Sequence, residues 1–286
     1  MVPLFKNARI GVVAPSGVVD PEKLAKGMDR LKAMGWTVDA DDSVLAAQGY
    51  LAGGEDARKS SLIRMAGTRP GLLVAARGGY GAMRLLPALS ADELLSLPLF
   101  MGFSDATALL VRLVGLGGRA LHGPTVQSLS MACPETLDAL EGLLRGGDRP
   151  NPLGDSWNTL VDGEGAGVLS GGNLATLAHL CGTPYQPDFS GCVLALEDLN
   201  EAPYRIDRAL TQMRLAGVFS GVAGVMVGEC LHCGAAEVLD GVFREIFTPL
   251  GIPVVKGGRF GHGTTNLPMV FGERVALSTE SGFRYA

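Results

Sequence analysis

The chain alternates short, almost wholly apolar runs with longer stretches in which apolar residues recur every three or four positions. Arg9 to Ala14 reads as a buried strand and Pro21 to Met34 as the helix after it, with Asp20 as N-cap and Pro21 in the first helical position. Further strands are predicted at Trp36 to Ala40, Gly71 to Ala76 and Leu99 to Phe103. The intervening helices are predicted over Glu55 to Ala66, from Tyr80, and over Asp105 to Gly115. Strands this uniformly apolar are covered on both faces. Their βαβα order predicts a parallel, doubly wound sheet with right-handed crossovers, whose ligands sit at the strand C-terminal ends.

Between Gly146 and Gly165 the pattern dissolves into Gly, Asp, Pro and Asn with one Trp, the composition of a long surface connection. We place a boundary there: an N-terminal α/β domain over 1–145, a linker over 146–165 and a C-terminal domain over 166–286. The second half predicts strands near Val168, at Cys192 to Leu196, Val222 to Val227 and Pro253 to Lys256. Its helices span Asn173 to Leu180, Tyr204 to Ala216 and Glu237 to Phe247, before a hairpin-like stretch from Met269 to Tyr285. This describes a smaller α/β unit with some antiparallel sheet.

Composition narrows the class. The 286 residues include 41 glycines, about twice the usual share near 7%. With 47% apolar residues and no Gly-X-Y repeat, those glycines belong to turns of a folded protein. A net charge of −5 without a Lys/Arg cluster excludes a general nucleic-acid binder. Only Lys6 and Arg9 precede the short run Ile10 to Ala14, which Pro15 ends, so the signal-peptide pattern is missing, as is any membrane-spanning run. Five cysteines, an odd number, then read as reduced thiols of a cytoplasmic protein.

Four places could carry chemistry. Gly102-Phe103-Ser104-Asp105-Ala106 lies where a predicted strand meets a helix, so Ser104 is either an exposed nucleophile on a sharp turn or a helix N-cap. Ala106 departs from the final glycine of G-x-S-x-G. Ala76-Arg77-Gly78-Gly79-Tyr80-Gly81 is a second strand-to-helix turn whose glycines let backbone N–H groups approach an oxyanion. It lacks the Gly-Lys-Ser/Thr ending of a phosphate-binding loop. Leu196-Glu197-Asp198 puts two carboxylates after a strand, either as helix caps or as site groups. Gly261-His262-Gly263 flanks a histidine with glycines, which suits a catalytic imidazole more than a core one. His122 could line the same cleft or make a structural hydrogen bond, and His179 reads as a core or helix-end residue. Cys230-Leu231-His232-Cys233 has zinc-like spacing without a second ligand pair, so no metal is expected. Ser, Glu and His, each after a strand and beside a glycine turn, follow the logic of a serine acyl hydrolase.

Taken in order, these stretches resemble the serine LD-carboxypeptidases of peptidoglycan recycling, the muramoyltetrapeptide carboxypeptidases or peptidase family S66. The resemblance also covers Ile10 to Ser16, Leu121-His122-Gly123-Pro124, Ser170-Gly171-Gly172-Asn173-Leu174 and Tyr204-Arg205-Ile206-Asp207-Arg208. It implies a flavodoxin-like or amidotransferase-like N-terminal domain, a smaller C-terminal domain and a site between them, commonly in a homodimer. It further implies Ser104 as nucleophile, with Glu197 and His262 completing a triad and no cofactor. We place the oxyanion hole at the N–H groups of Asp105 and of Gly78 or Gly79, and give Arg77 either the substrate carboxylate or an equally good structural pairing. The expected substrate is a murein tetrapeptide, cut between meso-diaminopimelate and the terminal D-alanine. The alternatives are a microcin-immunity peptidase of the same family, cleaving an aminoacyl-nucleotide, and a non-catalytic α/β binding protein.

Overall fold

A computed structural model describes residues 9–286; Lys6 lies outside the described residues. The first sheet contains β1 (Arg9–Val13), β2 (Thr37–Ala40), β3 (Leu72–Ala75), β4 (Leu99–Gly102) and β5 (Ala120–His122). All are parallel, in the order β2-β1-β3-β4-β5, which is the flavodoxin-like order with its switch point between β1 and β3. Alternating side chains sort to two faces. Leu72 and Val74 join one core with Ile10, Val12 and Leu121, while Leu73 and Ala75 join the other with Phe100 and Ala120. The helix over Pro21–Ala33 starts as expected, Asp20 accepting from the N–H groups of Glu22 and Lys23.

The second sheet is built on β6 (Asn158–Val161), β7 (Glu164–Asn173), β8 (Cys192–Leu199), β9 (Gly224–Leu231) and β10 (Val254–Lys256). Strands β7 to β10 are mutually parallel, and β6 pairs antiparallel with β10. The expected linker over 146–165 therefore contains β6 and the start of β7. Its Gly/Asp/Pro-rich surroundings hide a four-residue edge strand whose only strong signal is Leu160-Val161.

The chain end departs from the expected hairpin. Strand β11 (Met269–Phe271) leaves the second half and pairs antiparallel with β5, completing the first sheet. Only β12 (Arg274–Ser278) and β13 (Gly282–Tyr285) form the hairpin, and β12 joins the second sheet against β7. The segment from Tyr80 is also shorter than predicted, a 3-10 turn over Ala82–Leu85 followed by a separate helix over Ala91–Leu95. Ser90 and Glu93 form a capping box that starts this second helix anew.

The helix over Thr107–Gly115 links the two sheets. It is apolar on nearly every side, as a wholly buried helix must be, and its leucines share one continuous core with β7, β8 and β9. At its first position the Thr107 hydroxyl accepts the Asn173 N–H at 3.0 Å, tying the start of the helix to the end of β7.

Candidate active site

Ser104 stands at the C-terminal end of β4, next to the sheet's switch point. Its φ is +60°, a left-handed conformation that costs a non-glycine residue of order 1 kcal/mol or more. The strand turns sharply at Phe103 and enters a 3-10 turn over Ser104–Ala106 and then the Thr107–Gly115 helix, which is the geometry of a nucleophile elbow. The missing final glycine has a physical account. A Cβ on Gly102 would stand 2.8 Å from that of Ala106, so one of the two positions must lack it, and Gly102 does.

The glycine turn after β3 packs against this elbow. A Cβ on Gly78 would lie 2.9 Å from Ser104 Cβ and 3.0 Å from its Oγ, so the Gly78 backbone is in contact with the serine. The Asp105 carboxylate accepts the Ala82 N–H at 2.8 Å, locking the two turns together. Beneath them Arg58, 2% exposed, donates to the carbonyls of Pro15, Gly53 and Gly81. The sequence offered no sign of this role, because Arg58 sits in an ordinary helical pattern.

His262 follows β10 and Glu197 lies within β8 rather than after it. Pairing between β8 and β9 shifts opposite Glu197, where β9 carries one extra residue: Leu196 pairs with Val227 but Asp198 with Cys230. The wholly buried Glu197 Oε2 lies 2.6 Å from His262 Nδ1. A Cβ on Gly261, whose φ is +110°, would sit 2.8 Å from the same oxygen. With Nδ1 committed to Glu197, Nε2 is the nitrogen left for a second partner. Burial works to lower the His262 pKa, but the hydrogen bond it donates to Glu197, the charge of that carboxylate and that of Asp198 outweigh it, and the net direction is upward. The Phe103 ring lies against the imidazole, centroids 4.7 Å apart.

Ser104, Asp105, Gly79 and His262 line one cavity of about 370 Å3, together with Tyr80, Asn173, Thr176, His179, Asp198 and Glu201. A larger hollow of about 680 Å3 at the chain terminus, near Arg149 and Glu273, contains neither the serine nor the histidine. Arg77 does not line the site cavity; its guanidinium donates to the Val18 carbonyl and braces the turn. His179 is an exposed cavity-wall residue, not a core one, because the helix over Leu174–Leu180 turns that face outward. Asp198 was paired with Glu197 in the sequence but is spent otherwise. It accepts from Asn173 Nδ2 and the N–H groups of Ala175 and Leu199, and burial pushes its pKa up to about 6.

His122 neither lines the cleft nor makes the expected hydrogen bond. It is wholly buried among Phe103, Phe260 and Phe271, with both ring nitrogens unbonded among the described residues. Burial pushes its pKa down to about 4.

The LD-carboxypeptidase N-terminal domain model matches residues 10–123 and the C-terminal domain model residues 166–277. A putative carboxypeptidase of Synechocystis is 36% identical over 98% of this chain and 95% of its own. The murein tetrapeptide carboxypeptidase of Pseudomonas aeruginosa is 29% identical over 95% of this chain and 93% of its own. The crystal structure of muramoyltetrapeptide carboxypeptidase from Oxalobacter formigenes superposes with a TM-score of 0.80 at 30% identity, covering 96% of each chain. Two matched domains in sequence order, with relatives alike from end to end, place this chain in the LD-carboxypeptidase family, peptidase S66.

Proposed function

We propose that this protein is a serine LD-carboxypeptidase that removes the terminal D-alanine from murein tetrapeptides, cutting after meso-diaminopimelate. The observation that carries the reading is the strained Ser104 elbow opening on the cavity that also holds His262, itself hydrogen-bonded to the buried Glu197. The name of the Pseudomonas relative supports the substrate.

In this reading His262 Nε2 takes the Ser104 proton and Oγ attacks the carbonyl carbon of the L,D-peptide bond. The resulting oxyanion is held by the N–H groups of Asp105 and of Gly78 or Gly79. His262 then gives its proton to the D-alanine nitrogen, the C–N bond breaks, and D-alanine leaves. Water, deprotonated by the same nitrogen, hydrolyses the acyl-enzyme and restores Ser104. Glu197 holds the imidazole in the tautomer with Nδ1–H and stabilises its protonated form. The reading extends to a homodimer acting on released peptides in the cytoplasm.

The test is D-alanine release from the tetrapeptide, followed by mass spectrometry with the all-L peptide as control. Ser104→Ala is expected to abolish turnover and labelling by a fluorophosphonate, with the fold retained. Wild-type turnover by that variant, or cleavage of the all-L peptide alone, contradicts the proposal.

A further inference from the structure

A second hollow of about 280 Å3 adjoins the Ser104 cavity and shares Ala175, His179, Asp198 and Glu201 with it. Its far wall is the helix over Pro203–Leu215, which contributes Arg205, Arg208 and Gln212 at the spacing of one helical face. Both guanidinium groups lie over the Tyr204 ring, at 5.9 and 5.3 Å from its centroid, so they stand as an ordered pair. Arg205 reaches Glu201 at 3.4 Å, and among the described residues Arg208 has no carboxylate within ion-pair distance. Gln212 is already committed to the Ala178 carbonyl.

Charge is therefore laid out in sequence. Asp198 is taken up by its own hydrogen bonds, so Glu201 is the acid that a ligand meets where the two hollows join. The two arginines come next and do not line the Ser104 cavity at all. A ligand matching this order carries a cation and then an anion at the end of a chain long enough to cross the first cavity. The terminal residue of a carboxypeptidase substrate is too short for that, since its carboxylate is a single carbon away from the scissile nitrogen. The side chain of the residue on the acyl side is long enough.

We propose that this second hollow is a side-chain subsite in which Glu201 takes the ammonium, and Arg205 with Arg208 the carboxylate, of an amino-acid head group ending the acyl-side residue. The inference rests on the proposed carboxypeptidase reading and deepens it. A diaminopimelate side chain satisfies both charges, whereas a lysine side chain satisfies only Glu201. A paired guanidinium fork suits a planar carboxylate better than a single ammonium group does.

The experiment compares kcat/KM for D-alanine release from two tetrapeptides that differ only in meso-diaminopimelate or L-lysine at the third position. Wild-type protein is expected to prefer the diaminopimelate peptide. Arg208→Met, which keeps an apolar stem against Tyr204, should cut that preference by about tenfold, chiefly through KM, as expected for one lost charge-assisted contact. Arg208→Lys should restore part of it. Equal use of both peptides by the wild type overturns the subsite, as does an equal loss on both in Arg208→Met. Calorimetric titration of the Ser104→Ala protein with the same peptides separates the two readings. Arg208-dependent preference in binding without turnover by the wild type would keep the subsite and discard the catalytic assignment; turnover without that preference would do the reverse.

Discussion

Gly78→Ala isolates the contact between the glycine turn and Ser104. The added Cβ would stand 2.9 Å from Ser104 Cβ and 3.0 Å from Oγ, whereas unstrained carbon contacts begin near 3.5 Å. One side must therefore yield by roughly 0.6 Å, and the serine is the smaller and less braced of the two. A misplacement of about 1 Å costs on the order of a hundredfold in rate, so a loss of roughly ten- to a hundredfold in kcat/KM is expected. Stability should change far less. Gly78 is not in the left-handed region, so alanine gains about 0.4–1 kcal/mol through the unfolded chain against roughly 1–3 kcal/mol of overpacking. The assay is kcat/KM for D-alanine release, with the rate of fluorophosphonate labelling and the melting temperature alongside. Gly142→Ala is the control, because a Cβ there meets nothing within 4 Å and lies in a helix. Wild-type kcat/KM in Gly78→Ala would refute the close-approach argument, and so would activity lost only in step with unfolding.

Two further predictions concern pH. The raised His262 pKa means that the free base is gained only above the ordinary 6.5, so kcat/KM should rise through an acid limb above that value. The stability from the Glu197–His262 pair is fully present below 6.5 and is lost as pH climbs through the raised value, so the pair stabilises least where the enzyme works best. Glu197→Gln should bring the acid limb down; a limb that stays in place counts against Glu197 as its cause. His122 behaves oppositely, since its pKa of about 4 makes the unfolded chain bind the extra proton between 6.5 and 4. Acidification through that window should remove roughly 3 kcal/mol from the wild type relative to His122→Phe in denaturant titrations. Only that difference is diagnostic, because Asp198, with its raised pKa, pushes wild-type stability the other way as pH falls. A constant difference between the two proteins across the window would remove the buried imidazole from the account.

Much of this was legible in the chain. Uniformly apolar runs marked β1, β3, β4 and β8 because strands covered on both sides need no polar face. The placing of Ser104 and His262 on tight turns beside one cavity was legible from the glycines around them. Other features depend on contacts distant in sequence. The strand pairing of Met269–Phe271 with β5 has no local signature, since a three-residue apolar run fits a hairpin equally well. Glu197 was read as following its strand because β8 runs on to Leu199 through pairing with β9, past the end of its own apolar run. Arg58 was passed over and His122 misjudged for a related reason. Burial belongs to the neighbours a residue acquires, and neither a helical arginine nor a Leu-His-Gly-Pro stretch announces them.

The crossing of β11 from the second half into the first sheet also sets an order of assembly. Until Met269–Phe271 emerges, β5 is an open edge with unpaired backbone groups on a sheet whose other strands are complete. His262, carried on the segment between β10 and β11, is fixed at one end to each sheet only when that edge closes. A growing chain thus carries Ser104 long before it carries His262, the base we propose for it. The order of synthesis puts the Ser104 turn well ahead of the strand that holds the His262 segment in place.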